Sequence, residues 1–403
     1  MVKNILLITQ EYPADDIEKE FTPVVHYFTK EWVIDGYNVV VLNLPTNFPY
    51  VYYYVTRFLR RKIESWLGIN IRMYTLSERK YELDGVKVFR YPLKKYKPHG
   101  RFPKRQIFNC INATICFCRE NSFQPDIMIG HWTNPAIDVM LGLKHTFHVP
   151  YVQVMHDYGF DFKGGLKEIK EEAFRNIDCW GFRSYPIKRK FESYYGVQKN
   201  SFMCFSGVPD SYIKELKKRN FSRVHNFLFV GLLMERKHPY EFVRALHKSM
   251  VYDFRLDIVG QGDEASKIEQ YINNYTDLQN KINLCGRISR EEVSNKMQIA
   301  DVFCMISERE TYGLVYLEAM ANGCITIASR NEGFDGIIVD GENGFLCEAG
   351  NIEELTSIIN KINKMDKVKL NHISENAIKT ASQMTDSIVA ASYIHDIEKL
   401  LNI

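Results

Sequence analysis

The sequence predicts an α/β protein built from two Rossmann-like domains. In each half of the chain, short apolar segments alternate with amphipathic ones, and this alternation is typical of parallel sheets covered by helices. At 403 residues the chain is also too long for one ordinary hydrophobic core. A polar segment at 214–219 is typical of a linker. We therefore expect an N-terminal domain over 1–210, a C-terminal domain over 211–385 and a last helix within 386–403.

The bulk composition is that of an ordinary globular protein, with 45% apolar and 25% charged residues and a net charge of +3. No apolar run approaches the length of a membrane span, and Met1 leads straight into a predicted strand rather than a signal peptide. The nine cysteines are scattered without Cys-x2-Cys spacing. This spacing argues against a zinc site or a disulfide framework and favours reduced thiols in a cytoplasm.

The positive charge is concentrated in one block, 57–105, which holds about 15 basic and 4 acidic residues. Aromatic residues, among them Tyr52, Phe58 and Trp66, lie near its start. Basic residues interleaved with aromatics suit an anionic membrane surface or a lipid diphosphate. An ordinary solvated face is an equal alternative. No recognisable nucleic-acid module accompanies the block, so nucleic acid is not an expected partner.

The first half opens with a strand, a loop, a helix and a second strand, followed by an insertion or an elaborated strand–helix unit over 45–105. The first loop, 14–21, has no Gly-x-Gly-x-x-Gly, which argues against a dinucleotide site there. Two later strands end on His131 and on His156-Asp157. Because ligands gather at the carboxyl ends of strands, both histidines are site candidates, although a structural role is an equal alternative for His131. Predicted strands lie at 3–9, 38–44, 86–91, 125–131, 150–157 and 177–184, and helices at 24–34, 106–120 and 164–174.

The second half repeats the alternation. Its predicted strands lie at 226–233, 256–262, 282–288, 299–306 and 325–329. Its predicted helices lie at 291–297, from 314 to the glycine at 323, at 352–363 and at 386–401.

The stretch 307–323 places the turn Glu310-Thr311-Tyr312-Gly313 between a buried strand and a helix that starts at Leu314. The unpaired N–H groups and the dipole of a helix N-terminus suit a phosphate. Glu310 and Glu318 lie about two helical turns apart, so both can project to one side. Carboxylates aimed at phosphates would repel them, so these two suit hydroxyl groups on either side of a phosphate, as in a nucleotide sugar. A capped surface helix with two solvated glutamates is the alternative.

Glu310-x7-Glu318, with Gly313 inside it and Ala319-Met320-Ala321-Asn322-Gly323 after it, resembles the signature of retaining glycosyltransferases of the GT-B fold, family 4 (glycosyl transferases group 1). The resemblance is strong over about 226–346, patchy over 126–210 and limited to topology before that. It implies two Rossmann-like domains facing each other across a cleft, with the last helix crossing back to the first domain. It also implies a nucleotide-diphosphate sugar as donor and retention of anomeric configuration.

The resemblance assigns roles to individual residues. In the family the first glutamate contacts the donor sugar and the second the ribose hydroxyls, and the histidine of a His-Asp element approaches the sugar near its reacting carbon. The expected catalytic residues are therefore His156, Glu310 and Lys237, with His131 and Asp157 on the acceptor side. The expected donor-binding residues are Gly231, Arg236, Lys237, Gly286, Arg287, Glu310, Thr311, Tyr312, Gly313, Leu314 and Glu318.

Two departures from the family pattern concern the expected donor and acceptor contacts. Leu232 stands where the family has an arginine, and the first loop lacks the family's Gly-Gly pair. Arg236 can supply the missing charge, since a guanidinium binds phosphate oxygens in a two-pronged way; the start of an exposed helix is the alternative for Arg236 and Lys237. No Asp-x-Asp site is recognised, so we expect Lys237, Arg236 and the backbone of 311–314 to stabilise the leaving diphosphate without a metal or other cofactor.

The expected function is transfer of a sugar to a glycan or lipid-linked acceptor in bacterial surface polysaccharide biosynthesis, such as capsule, O-antigen of lipopolysaccharide, or exopolysaccharide. The expected location is the cytoplasm, with a peripheral position on the inner face of the cell membrane left open. One rival is a GT-B nucleotide-sugar epimerase, which the Glu-x7-Glu motif and the tail after it disfavour. Another is a nucleotide-sugar-binding protein without catalysis, which Leu232 and the glycine-free loop keep open.

Overall fold

The computed structural model describes residues 2–17, 23–51, 53, 74–96, 100–156, 170–214, 219–251 and 253–403. They form two compact units. The first unit comprises Met1–Phe182, Lys190–Cys204 and Ala390–Ile403, and the second comprises Arg183–Arg189 and Phe205–Val389. Residues 183–189 and 205–210, expected in the N-terminal domain, thus belong to the second unit, and the last helix is divided between the two at Ala390.

The first unit contains an eight-stranded sheet in the order β10-β9-β8-β7-β1-β2-β5-β4. Neighbouring strands are parallel except for the antiparallel pair β4–β5. Its strands are β1 Asn4–Thr9, β2 Asn38–Asn43, β4 Arg79–Leu83, β5 Val86–Arg90, β7 Ile127–His131, β8 Tyr151–Met155, β9 Cys179–Phe182 and β10 Ser201–Met203, and a separate ribbon pairs β3 Thr46–Asn47 with β6 Leu93–Lys94. The helices over this part of the chain are α1 Val24–Ile34, α2 Lys104–Glu120, α3 Ala136–Phe147, α4 Lys170–Asn176 and α5 Tyr185–Tyr195.

The centre of the first sheet is β1, which pairs in parallel with β2 and β7. Ile5, Leu6, Leu7 and Ile8 are all fully buried. Such a run of apolar residues without polar alternation is typical of a parallel strand covered on both faces.

The start of the first loop is held by two arginines of the β4–β5 hairpin. Arg90, which is fully buried, donates to both carboxylate oxygens of Asp16 at 2.7 and 2.6 Å. Arg79 pairs with Asp15 in the same way, with a second contact at 3.1 Å. Two-pronged arginine–carboxylate pairs are among the stronger hydrogen bonds in proteins. An acidic pair therefore fixes the start of the loop in which the family has glycines.

The second unit contains a six-stranded parallel sheet in the order β13-β12-β11-β14-β15-β16. Its strands are β11 Asn226–Val230, β12 Arg255–Val259, β13 Ile282–Gly286, β14 Val302–Cys304, β15 Ile325–Ser329 and β16 Phe345–Cys347. Its helices are α6 Asp210–Lys214, α7 Pro239–Lys248, α8 Glu264–Asn274, α9 Arg290–Ile299, α10 Leu314–Ala321, α11 Ile352–Asn363 and α12 Lys367–Ser382, and the last helix of the chain is α13 Asp386–Leu401.

The last helix contributes aromatic and backbone contacts to the core of the first unit. The indole N–H of Trp32 donates to the carbonyl of Ala390 at 2.9 Å. The ring of Tyr393 packs edge-on against Phe28 and Trp32, with centroid distances of 5.2 and 5.1 Å. Among the described residues, no helix combines the length and apolarity needed to cross a bilayer.

The structure confirms most predicted strands within two or three residues and helices α1, α11 and α13 at their predicted ends. The strand predicted at 299–306 is shorter because α9 extends to Ile299 and the Asp301 carboxylate then accepts the N–H groups of His225 and Asn226 at 2.9 and 2.8 Å. Six helices of the described residues, namely α3, α5, α6, α7, α8 and α12, were not predicted. Much of the basic block, most of the predicted helix at 164–174 and residues 215–218 of the predicted linker lie outside the described residues.

Candidate active site

The site candidates of the second unit follow two neighbouring strands at the centre of its sheet. β11 pairs in parallel with β12 on one side and with β14 on the other, so the strand order reverses around β11. In open α/β sheets, ligands bind at the carboxyl ends of strands at such a switch point. The segment that leaves β11 runs from Gly231 to Lys237, and the segment that leaves β14 runs from Met305 to Glu310.

Lys237 and Glu310 meet at this switch point. Lys237 Nζ lies 3.2 Å from Glu310 Oε2 and 3.6 Å from Met305 Sδ. Ser307 Oγ donates to the same carboxylate oxygen at 3.3 Å. The lysine and glutamate side chains are 14% and 13% exposed, so solvent screens this ion pair less than one on the surface. The structure therefore joins two predicted catalytic residues in one partly buried ion pair.

A backbone contact ties the two segments together beside this pair. Glu308 N–H donates to Arg236 O at 2.7 Å, and Arg236 Nη1 lies 3.3 Å from Glu308 O. Arg236 and Lys237 lie in a short 3₁₀ turn, Glu235–Lys237, and not in an exposed helix, because helix α7 starts later, at Pro239. Leu232, which replaces the family's arginine, is 60% exposed.

The turn that carries Glu310 is anchored on residues 331–333. Glu310 N–H donates to Glu332 Oε2 at 2.8 Å, and Gly333 N–H donates to Glu310 O at 2.7 Å. Only glycine fits at 333, because a Cβ there would lie 2.6 Å from the backbone of Tyr312. Burial raises the pKa of the Glu332 carboxyl above its ordinary value. The position of Glu310 thus depends on an acidic residue that the sequence analysis did not identify.

Gly313 forms the bend at which helix α10 begins. Its φ is +85°, and a Cβ would lie 2.4 Å from the ring of Tyr316, so the bend requires glycine. The helix has no side-chain N-cap. Its first N–H groups, starting at Leu314, are therefore among the donors that a helix N-terminus offers to an anion.

Tyr312, by contrast, turns its side chain into the second unit. Its hydroxyl donates to Ser206 O at 2.6 Å, and its ring is only 4% exposed. The guanidinium of Arg183 lies over this ring, 5.0 Å from the centroid. Tyr312 is therefore a packing residue whose backbone, with that of partly buried Thr311, shapes the turn.

Glu318 lies on α10 and pairs with Arg290 at the start of α9. Arg290 Nη2 donates to Glu318 Oε1 at 2.7 Å, with the glutamate side chain 15% exposed. Within the described residues, the other oxygen, Oε2, accepts no hydrogen bond. Burial, reinforced by the charge of Glu318, raises the pKa of nearby Tyr212. The carboxylate is thus oriented by one cation and keeps an oxygen for a further donor.

The predicted base-binding residues follow β13. Gly286 has a φ of +65° and accepts the N–H of Gly260 at 2.8 Å. Arg287 is exposed. Because Arg290 lies four residues after Gly286, the Arg290–Glu318 bond links this segment to α10. The second unit therefore contains all the donor-binding candidates, in segments that the bonds above connect.

The remaining candidates belong to the first unit. His131 Nδ1 lies 2.6 Å from His156 Nε2, so the two histidines at the ends of β7 and β8 share a hydrogen bond. Both are buried, with exposed fractions of 0% and 9%. Asp157, predicted on the acceptor side, lies outside the described residues.

Sequence reasoning missed Arg290, Glu332 and Tyr393, each of which bonds to a predicted site residue. Nothing in the local sequence marks the last two, because their partners lie 22 and 262 positions away. In the portion of the chain that the structure describes, no group of three or more His, Cys, Asp and Glu side chains is arranged to hold a metal ion.

Comparison with known proteins identifies a related family over part of the chain. Residues 213–380 match the family described as glycosyl transferases group 1. An uncharacterized glycosyltransferase of Methanocaldococcus jannaschii is 27% identical over 57% of the chain and 63% of its own length. The poly(glycerol-phosphate) alpha-glucosyltransferase of Bacillus subtilis is 28% identical over 60% of the chain and 37% of its own length. The chain thus spans less than two thirds of these curated relatives.

A solved structure shows the same fold. The chain resembles Anabaena HepE, crystallised in complex with UDP, with a TM-score of 0.69, 18% identity and full coverage of both chains. This likeness concerns the fold, which is the GT-B fold of two Rossmann-like domains. Residues 213–380 thus match the glycosyl transferases group 1, and the chain has a GT-B fold.

Proposed function

We propose that the chain is a retaining glycosyltransferase that moves a sugar from a nucleotide-diphosphate sugar to a glycan or lipid-linked acceptor. The observation that carries the proposal is the Lys237–Glu310 pair at the switch point, 3.2 Å apart, in the turn that leads into α10. An ammonium group and unpaired N–H groups suit a diphosphate. A carboxylate beside them suits a sugar hydroxyl, as in the family that residues 213–380 match.

In this mechanism the leaving diphosphate gains negative charge as the bond to the sugar breaks. Lys237, Arg236 and the N–H groups at the start of α10 stabilise this charge, so the reaction needs no metal ion. Glu318 binds the ribose hydroxyls through the oxygen that Arg290 leaves available. Glu310 binds the donor sugar, and His156 contacts the sugar near its reacting carbon. The acceptor then attacks from the face that the diphosphate leaves, which retains the anomeric configuration.

The relatives suggest which substrates to test first. The Anabaena protein was crystallised in complex with UDP, so a UDP sugar is the first donor to test here. The Bacillus subtilis relative is named as a poly(glycerol-phosphate) alpha-glucosyltransferase, and a second relative, from Acholeplasma laidlawii, is named as an alpha-monoglucosyldiacylglycerol synthase. These names support a cell-surface glycan or a glycolipid as acceptor, and therefore a cytoplasmic enzyme at the inner face of the membrane.

The membrane part of the proposal concerns the basic block 57–105, with about 15 basic and 4 acidic residues. Each basic residue near an anionic surface contributes about 1 kcal/mol of attraction. Binding of the full chain to liposomes should therefore rise with the fraction of anionic lipid and fall with salt. The triple variant in which Arg60, Arg61 and Lys62 become Ser should bind more weakly. Equal binding to neutral and anionic liposomes would exclude this part of the proposal.

The function is tested with the purified full chain and a panel of UDP and GDP sugars. Release of nucleoside diphosphate should depend on an added glycan or lipid-linked acceptor. Glu310→Gln should abolish most of this release. Proton NMR of the product should show the anomeric configuration of the donor, whereas the opposite configuration would exclude retention. An epimerised sugar formed without acceptor would indicate the rival epimerase. Nucleotide binding without release from any donor would indicate a binding protein.

A further inference from the structure

Three side chains of the first unit form one buried chain of hydrogen bonds. Tyr393 Oη lies 3.1 Å from His131 Nε2, and His131 Nδ1 lies 2.6 Å from His156 Nε2. The three residues are 2%, 0% and 9% exposed, respectively. Hydrogen bonds in series polarise one another, and in the low dielectric of a protein interior they are stronger than in water. These hydrogen bonds therefore connect the last helix to His156, a predicted catalytic residue.

Tyr393 is a rigid end for this chain. Its ring contacts Phe28, Trp32 and Phe202, with centroid distances of 5.2, 5.1 and 5.1 Å. The bond from Trp32 to Ala390 O fixes the helix one turn before Tyr393. Aromatic contacts of this kind add to the stabilisation from burial. The hydroxyl of Tyr393 is thus held in place by its surroundings on several sides.

The other end of the chain is held by stacking. Trp132 lies over the ring of His156, with a centroid distance of 4.0 Å and an interplanar angle of 16°. Trp132 has a φ of +61°, an uncommon conformation for a residue with a bulky side chain. Gln153 Nε2 donates to Trp132 O at 2.8 Å, and Gln153 is itself fully buried. The plane of the His156 ring is therefore set by stacking, and its rotation by the bond to His131.

Acid–base chemistry determines which atom donates in each of these two hydrogen bonds. A phenol is a good donor and a poor acceptor, whereas the unprotonated nitrogen of an imidazole is a good acceptor. Tyr393 therefore donates to His131 Nε2, and the proton of a neutral His131 is on Nδ1. His131 Nδ1–H in turn donates to His156 Nε2. The proton of a neutral His156 is then on Nδ1, since the bond made by one ring nitrogen sets the state of the other.

We propose that Tyr393 and His131 are positioning residues that hold His156 in its Nδ1–H tautomer. His156 then serves as a hydrogen-bond donor through Nδ1 and not as a general base through Nε2. The role of that donor in sugar transfer rests on the function proposed above, with a hydroxyl of the donor sugar as acceptor. The tautomer itself does not depend on that function.

The tautomers can be measured by ¹⁵N NMR of the full chain labelled at histidine. His131→Asn and His156→Asn variants assign the signals. In the wild-type protein, both histidines should show a protonated Nδ1 and an unprotonated Nε2, the tautomer that free histidine disfavours in water. Tyr393→Phe should leave each of the two as a mixture of tautomers. A protonated Nε2 on either histidine in the wild-type protein would overturn the direction, and unchanged signals in Tyr393→Phe would overturn the role of Tyr393.

A matched control is available in the second unit. Tyr271 Oη lies 2.9 Å from His247 Nδ1, so Tyr271→Phe removes the same kind of bond away from the site. This variant should change the His247 signals only. Melting temperatures of the two tyrosine variants show whether each still folds.

An activity measurement separates the two proposals. If the chain transfers sugar, Tyr393→Phe should lower kcat by about tenfold with little change in the donor KM, as expected for loss of a partner that orients a working histidine. An unchanged kcat would overturn the positioning role even if the tautomers shift. If the wild-type chain transfers no sugar, the proposed function fails, while the NMR result still decides the tautomer of His156.

Discussion

Replacement of Glu310 and Glu318 by Ala should shift the affinity for nucleoside diphosphate in opposite directions. Glu318 has one oxygen on Arg290 at 2.7 Å and one that accepts nothing in the described residues. A hydrogen bond from a ribose hydroxyl to this carboxylate is worth about 1.5–3 kcal/mol. Its loss in Glu318→Ala should weaken binding of UDP or GDP by about 10- to 150-fold.

Glu310 competes with the diphosphate for Lys237. The two side chains are 3.2 Å apart and only 14% and 13% exposed. In Glu310→Ala, Lys237 has no carboxylate partner and Met305 Sδ at 3.6 Å is a weak substitute. A diphosphate then restores the lost ion pair, so the free nucleotide should bind about fivefold more tightly, a gain of about 1 kcal/mol. Turnover should nevertheless fall, because Glu310 acts on the sugar and not on the nucleotide.

Isothermal titration of the full chain with UDP and with GDP measures both effects. Glu308→Ala is a matched control, because it removes a carboxylate from the same turn. The Glu308 side chain is 55% exposed. This variant should bind nucleotide within about twofold of the wild type. If Glu310→Ala weakens nucleotide binding as much as Glu318→Ala does, the assignment of Lys237 to the diphosphate is wrong.

Three further predictions concern the supports of the site and its chemistry. Glu332→Ala should lower kcat/KM about tenfold through loss of the Glu310 anchor, whereas Glu332→Gln keeps an acceptor for the Glu310 N–H. Burial raises the pKa of Glu332 above 4.5, so ionisation of this carboxyl costs stability as the pH rises. Glu332→Gln should therefore raise the Tm at about pH 7 and not at about pH 4. Asp16→Ala should destabilise the first unit by about 2–3 kcal/mol in urea unfolding, since it leaves buried Arg90 without its carboxylate. The bond to Arg90 lowers the pKa of Asp16 below 3.8. The stability from this ion pair is therefore present above pH 3.8 and is lost as acid protonates the carboxylate. Transfer activity should persist in excess EDTA, and complete loss that magnesium or manganese restores would contradict a charge balance made by Lys237 and Arg236.

The fold was largely predictable because its strands are short apolar runs bounded by turns. The runs at Ile5–Ile8 and Ile325–Ser329 can satisfy their backbone only in a covered sheet. The unpredicted helices are less regular in sequence. α5, for instance, mixes Lys188, Arg189 and Lys190 with aromatic residues, and this mixture obscures its apolar face.

The site was predictable where one segment carries both the geometry and the chemistry. Gly313 bends the chain, Leu314 starts the helix, and Glu310 and Glu318 are spaced by the helical repeat. The supports were not predictable, because ion pairs and hydrogen bonds between distant segments leave no periodic signal. Asp16 and Arg90, 74 positions apart, are one example.

The first unit includes residues from both ends of the chain, and this has a consequence for its synthesis on the ribosome. The bond from Trp32 to Ala390 O joins positions 358 residues apart. At about 5–20 residues per second, translation separates these two residues by roughly 20–70 s. During that interval Phe28 and Trp32, both buried in the finished protein, lack the ring of Tyr393 and are accessible to chaperones. The aromatic core of the first unit can therefore be completed only after the second unit has been translated.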